Sequence, residues 1–178
     1  MLIRGEVSKP SPIFVSMPYS YDYFKQEFYY HMKSTFPVGM NILDVGAGSG
    51  QYGRNLNDKF KINALEIFEP YVEQFGLKYV YDNVIIGDIR QFDTTGYDYV
   101  IMGDIIEHLT YNEAKEVLNG IKCKYMFAVP YKMKQGEVNG NIHETHHQDD
   151  LTHELVLNRY QGVRCLFRNL DYGYYVNY

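Results

Sequence analysis

Tryptophan is missing from this 178-residue chain and cysteine nearly so, with Cys123 and Cys165 the only two. Two thiols are too few for a disulfide framework or a cysteine-rich zinc module, so a reducing cytoplasm is the expected setting and both are expected to pack as small hydrophobes. No apolar run is long enough to cross a bilayer, and the N-terminus carries Arg4, Glu6 and Lys9 with Pro10 and Pro12. These features read as a protein that is neither membrane-borne nor exported. Positive charge is scarce: 17 Lys and Arg against 22 Asp and Glu give a formal net charge of −5. Broad, charge-driven nucleic-acid binding is thereby disfavoured, and a compact small-molecule or nucleotide-like substrate is favoured. Internal repeats and low-complexity segments are absent as well.

What the chain has instead is apolar and aromatic material. A hydrophobic content of 46% over this length suits one globular domain, 1–178, with a layered core. Within it, 1–38 reads as an N-terminal lid and helix and 40–178 as a cofactor-binding core. The 19 tyrosines concentrate in 19–30 and 172–178. Such amphipathic rings suit core and rim packing, and they equally suit a wet aromatic wall against a substrate.

Residues 1–17 read as extended and irregular. Tyr23, Phe24, Phe28 and Met32 recur at roughly helical spacing and predict a helix over 19–36, punctuated by Pro37, Gly39 and Asn41. A strand over 41–45 follows, then a short helix to about Lys59, a strand over 62–67, and a helix opened by Glu69-Pro70. Strands over 83–86, 99–102 and 125–129 and a helix over 111–119 complete an alternation that indicates βαβ units and a mainly parallel sheet. The tail differs, since 163–167 and 172–177 read as an antiparallel hairpin. Residues 131–151 carry His143, His146 and His147 with no periodicity. A loop this long is usually functional or mobile, and its place after the fifth strand hangs it over the carboxyl edge of the sheet, where ligands bind in open α/β folds.

The most informative stretch is Ile42-Leu43-Asp44-Val45-Gly46-Ala47-Gly48-Ser49-Gly50-Gln51-Tyr52-Gly53. It reads as a buried strand ending in a loop whose alternating glycines let the backbone turn sharply and a ligand approach without Cβ interference. The pattern alone does not choose its ligand. Gly48 to Gly53 also satisfies GxGxxG with Glu66 available for a ribose, which keeps an NAD(P)-dependent oxidoreductase of Rossmann type open.

From about residue 40 to its end the chain resembles a class I S-adenosylmethionine-dependent methyltransferase. Four segments carry the likeness in order: Asp44 to Gly50, Glu66 in Ala64-Leu65-Glu66-Ile67-Phe68, Gly87-Asp88-Ile89-Arg90, and Gly103-Asp104-Ile105-Ile106-Glu107-His108-Leu109. The resemblance implies a Rossmann-like fold with a seven-stranded, mainly parallel sheet, an antiparallel last strand and helices on both faces. It implies S-adenosylmethionine as cofactor, S-adenosylhomocysteine as product, and a cofactor site built from Asp44, Gly46, Ala47, Gly48, Gly50, Glu66, Ile67, Asp88, Ile89, Gly103 and Asp104. Glu66 would accept the ribose hydroxyls, Asp88 the adenine amino group, and Asp44 and Asp104 would set a negative field near the ammonium and sulfonium.

The acceptor side is expected from Tyr19, Tyr21, Tyr131 and His147, with His108 or His146 as a general base poised near neutral pH. The low-ranked alternative is a divalent metal on Asp104, Glu107, His108 and His146, as in methyltransferases resembling the small-RNA 2′-O-methylating and ubiquinone-pathway enzymes, where Asp104 would replace a glutamate. Two Tyr-x-x-x-Lys patterns, Tyr21 to Lys25 and Tyr111 to Lys115, are placed wrongly for a short-chain dehydrogenase and read as helix surface. Asp44, Asp88 and the terminal hairpin are used by the methyltransferase reading and left unexplained by the oxidoreductase one. A catalytically silent binding domain is the third reading, opposed by the intact acids and glycines.

Overall fold

A computed structural model describes residues 21–178, so the segment over 1–17 and Tyr19 lie outside the described residues. Helix α1 spans Lys25–Thr35 and buries Phe28, Tyr29 and Met32. It starts later than the apolar spacing over 19–36 suggests, because Phe24 takes a left-handed backbone with φ 57° and the helix begins after it. It ends at Phe36, extended ahead of Pro37 because the proline ring disfavours a helical conformation in the residue before it.

The chain continues through β1 Asn41–Val45, α2 Gln51–Leu56, β2 Lys61–Glu66 and α3 Pro70–Gln74. Proline opens α3, where its missing N–H has no partner to lose. Next come β3 Asn83–Ile86, β4 Tyr99–Gly103, α4 Tyr111–Gly120 and β5 Lys124–Pro130. Thr110 and Glu113 form a reciprocal capping box that starts α4. Helix α5, His153–Arg159, precedes the hairpin of β6 Arg164–Arg168 and β7 Tyr172–Val176. The sequence gives little sign of α5, whose seven residues bury only Val156; Thr152 caps it, its hydroxyl accepting from the Leu155 amide at 3.1 Å.

These strands form one seven-stranded sheet in the order β3-β2-β1-β4-β5-β7-β6, parallel except where β7 pairs with β5 and β6. Alternate residues of each strand feed two layers. Ile42, Ile62, Ala64, Tyr99 and Ile101 pack toward α1 and α2, while Leu43, Val45, Leu65, Val100 and Met102 pack toward α4 and α5. The sheet is thus covered on both faces, as its near-continuous apolar strands require.

Strand order reverses between β1 and β4, so the loops leaving their carboxyl ends diverge and open a crevice there. The terminal tyrosines are core: Tyr172, Tyr174 and Tyr175 are fully buried in β7. Each hydroxyl finds a partner, on Asp104, Tyr52 and Tyr131 respectively, as buried phenols must. Cys123 and Cys165 are free and half-buried. Among the described residues no helix is long and apolar enough to cross a membrane.

Candidate active site

The glycine loop leaves β1 with Gly46 at φ 64° and Gly48 at φ 49°, left-handed conformations that a side chain would strain. A Cβ on Gly46 would also lie 2.1 Å from Cδ1 of Ile105. A Cβ on Gly48 would meet only the loop's own backbone, so this glycine leaves room above it for a ligand. The Gly48 amide donates to Oε2 of Glu66 at 3.0 Å and the Phe68 amide to Oε1 at 2.9 Å. Glu66 therefore has both oxygens fixed at the end of β2 while being only 3% exposed. Burial raises its pKa, against the opposing pull of those amides.

Two adjoining clefts open at this edge. The first is bounded by the loop at Gly46 to Ser49, by Glu66, Ile67 and Tyr71, and by Gly103, Asp104 and Glu107. The second is walled by Ile67, Ile89 and Leu109, with Asp88 and Arg90 at its rim. They share Gly46, Ile67, Ile105, His108 and His143 and so run into one another. An acid beside the glycine loop that joins an apolar slot with a second acid at its rim fits an adenosine with its ribose on Glu66. Asp88 is already engaged, since Nε of Arg90 donates to both of its oxygens at 3.0 and 2.9 Å, and Arg90 also reaches Glu113 at 2.7 Å. Burial works to raise the Asp88 carboxyl, and the Arg90 hydrogen bonds outweigh it, leaving it below its ordinary value.

Several residues singled out from sequence sit elsewhere than the cleft wall. Asp44 lies beneath the loop, 1% exposed, its Oδ2 accepting from the Tyr81 hydroxyl at 2.5 Å. Burial raises it to about 7, with the Tyr81 bond opposing. Gly50 faces Leu77 at the start of α2. Tyr131 turns away from the cleft, its hydroxyl 2.5 Å from that of Tyr175, because the residue after Pro130 points into the α4–α5 layer. His147 borders the second cleft, while Tyr21 does line the first. Ala47, Ile67 and Gly103 line the first cleft, and Ile67 and Ile89 the second.

Acids and imidazoles meet at the far end of the first cleft. A 3-10 turn, Ile106–His108, follows β4, with Asp104 held at φ 55° ahead of it. The Tyr172 hydroxyl donates to Oδ1 of Asp104 at 2.8 Å. Glu107 is 1% exposed and neither of its oxygens accepts a hydrogen bond from a described donor. Burial, followed by the charge of Asp104, pushes the Glu107 carboxyl well above its usual range. His108 and His146 approach with ring centroids 4.8 Å apart. Their Nδ1 atoms point to the carbonyls of Thr145 at 3.3 Å and Met133 at 2.9 Å. A carbonyl only accepts, so Nδ1 carries the hydrogen in both rings and the Nε2 lone pairs are left for the cleft. Burial lowers both imidazoles, His108 to about 4, which keeps them neutral. Glu107, His108 and His146 each offer a ligand atom, all within 4.8 Å of one another, a mixed oxygen and nitrogen set open to several divalent metals. Asp104 is not part of that group.

The segment over 131–151 crosses the cleft as a strap. The amides of His147 and Gln148 donate to the Glu107 carbonyl, and the Gln148 side chain donates to the carbonyls of Ile106 and Leu109. Its tip reaches across to α3 through the Tyr71 hydroxyl, which donates to Glu144 at 3.2 Å. Tyr71, Gln135, Asn141 and Glu144 thereby join the site without any periodicity or motif in the sequence to announce them.

No protein-family model matches the sequence, and no curated protein matches it. Its fold does match solved structures. An S-adenosylmethionine-dependent methyltransferase from Clostridium acetobutylicum is 14% identical over 88% of this chain and 91% of its own, with TM-score 0.64. A magnesium protoporphyrin IX methyltransferase from Synechocystis, crystallised with S-adenosylhomocysteine, is 13% identical over 86% of this chain and 81% of its own, with TM-score 0.59. A TehB-like S-adenosylmethionine-dependent methyltransferase from Corynebacterium glutamicum is 12% identical over 83% and 84%, with TM-score 0.59. At such identities the likeness is one of fold, and that fold is the Rossmann-like fold these methyltransferases share.

Proposed function

We propose that this chain is an enzyme that transfers a methyl group from S-adenosylmethionine to an oxygen or nitrogen nucleophile of a small molecule, sugar or nucleotide. The observation that carries the reading is the Glu66 carboxyl, fixed by the Gly48 and Phe68 amides in the first cleft beside the glycine loop. When bound, the cofactor supplies an activated methyl, whose bond to sulfur breaks as the bond to the acceptor forms. Everything else falls to the protein. Glu66 would hold the ribose, Ile67 and Ile89 would line the base's slot, and Asp104 would set a negative field near the sulfonium. The strap excludes water and orients the acceptor, and orientation alone is worth roughly 7–11 kcal/mol of barrier. Where the acceptor must lose a proton, Nε2 of His146 is the base, neutral and facing the cleft, since burial takes His108 to about 4, well below the near-neutral value a general base needs. Two free thiols suit a cytoplasmic setting.

A second reading of the same corner is a divalent cation held by Glu107, His108 and His146, favoured by their mutual reach and by the Nδ1 anchoring that aims both Nε2 atoms inward. Titration with Mg²⁺, Mn²⁺ and Zn²⁺ separates the two: the Glu107→Ala, His108→Ala double variant loses the cation, and a wild type that binds none at millimolar levels excludes it. The main reading is tested by thermal unfolding. S-adenosylhomocysteine at about 100 times its dissociation constant stabilises by about 2.7 kcal/mol, an upward shift of about 5–10 °C. Glu66→Ala should lose most of it. An unmoved wild-type midpoint contradicts the proposal.

A further inference from the structure

We infer that the acceptor carries a positively charged nitrogen and that this cation sits against Glu107 and Glu144; the inference rests on the methyltransferase reading of the site. Four carboxyl groups line the first cleft, those of Glu66, Asp104, Glu107 and Glu144, and among the described residues no lysine or arginine joins them. A buried carboxyl is tolerated when it is paired or fully hydrogen-bonded. Glu107 is 1% exposed, and the side chain that meets its carboxyl is another acid, Asp104, so no described group supplies it a countercharge. That is the mark of a group whose partner arrives from outside.

The cofactor does not balance the site. Its single net positive charge stands beside Asp104, and Glu66 is occupied by two backbone amides and the expected ribose. Glu107 is left over, and Glu144 on the strap above accepts hydrogen bonds from Tyr71, Gln135 and Asn141 but meets no cation among the described residues. The cleft walls also include the rings of Tyr21, Tyr52 and Tyr71. Tyr21 stacks on Tyr23 at 5.3 Å and meets Tyr172 edge-on at 5.7 Å, which fixes a ring at the mouth. Aromatic faces together with carboxyl groups attract an organic cation, and the lining offers a phosphate or carboxylate no lysine or arginine. The Arg90 guanidinium borders the other cleft and is already paired with Asp88 and Glu113, and that of Arg54 donates to the carbonyls of Ser49 and Phe75.

The test is calorimetric and needs no knowledge of the natural acceptor. Protein saturated with S-adenosylhomocysteine, in EDTA, is titrated at neutral pH with phenethylamine, 2-phenylethanol and phenylacetate, which share a ring and differ in charge. The amine should bind at least about tenfold more tightly than the acid, with the alcohol between them, and Glu107→Gln should cut amine binding by about tenfold. The wild-type series stands by itself if the variant fails to fold. Equal binding of the three, tighter binding of phenylacetate, or no binding of phenethylamine overturns the inference. Absence of heat from S-adenosylhomocysteine in the first step is a separate failure, that of the methyltransferase reading itself.

Discussion

Asp44 shows how one residue couples the fold to the site. Its place within an otherwise apolar strand forces it into the core, where the Tyr81 hydroxyl satisfies one oxygen and burial raises it to about 7. An unfolded aspartate titrates near ~3.9, so between there and about 7 the folded state holds a proton that the unfolded state releases. Stability without ligand therefore falls as pH rises through that window. Glu66, Glu107 and Glu144, also raised by burial, add slope of the same sign. Asp44→Asn keeps an oxygen for Tyr81 and removes the titration. It should flatten the pH dependence of chemical denaturation between about 4 and 7 and gain at most about 4 kcal/mol above that window, at about 1.36 kcal/mol per unit. A variant as steep as wild type would show that Asp44 titrates normally.

At the scale of elements, the glycine loop and the strap have opposite requirements. The loop must be rigid and bare. Gly46→Ala places a methyl against Ile105 in a left-handed backbone, so it should cost about 1–3 kcal/mol by urea denaturation and weaken S-adenosylhomocysteine binding, with Ile105→Ala restoring part of each. The strap must open. Its base is bound to the turn after β4 through backbone and Gln148, while its tip reaches α3 through the Tyr71 to Glu144 bond. Tyr71→Phe should speed amide hydrogen exchange across 141–145 and leave β1 and β4 unchanged; equal protection in both proteins would mean the tip is held by something else.

These two elements also differ in how far sequence betrays them. The loop was legible because its glycines answer a local backbone demand, and Glu66 because one helix and its turns fix the distance to the next strand tip. The hairpin was legible from two apolar runs around a turn. The strap's contributions were not, because Gln135, Asn141 and Glu144 enter the site through a crossing set by tertiary contacts. Tyr131 read as a cleft residue from its position after β5, and only the packing of its ring against the α4–α5 layer turns it aside. Helix α5 was hidden by shortness, and the extent of α1 by the left-handed Phe24.

For the whole molecule, the order β3-β2-β1-β4-β5-β7-β6 makes a single crevice of ends that lie far apart in sequence, bringing Gly48, Glu66, Asp88 and Asp104 to one edge. The same edge would serve a dinucleotide in an oxidoreductase, so the fold alone does not fix the cofactor, and the proposed reading rests on the acids. Calorimetric titration with S-adenosylhomocysteine and with NAD, on the same preparation, decides it most directly. The account predicts micromolar binding of S-adenosylhomocysteine, lost in Glu66→Ala, and no heat from NAD. Micromolar binding of NAD with none of S-adenosylhomocysteine would contradict it.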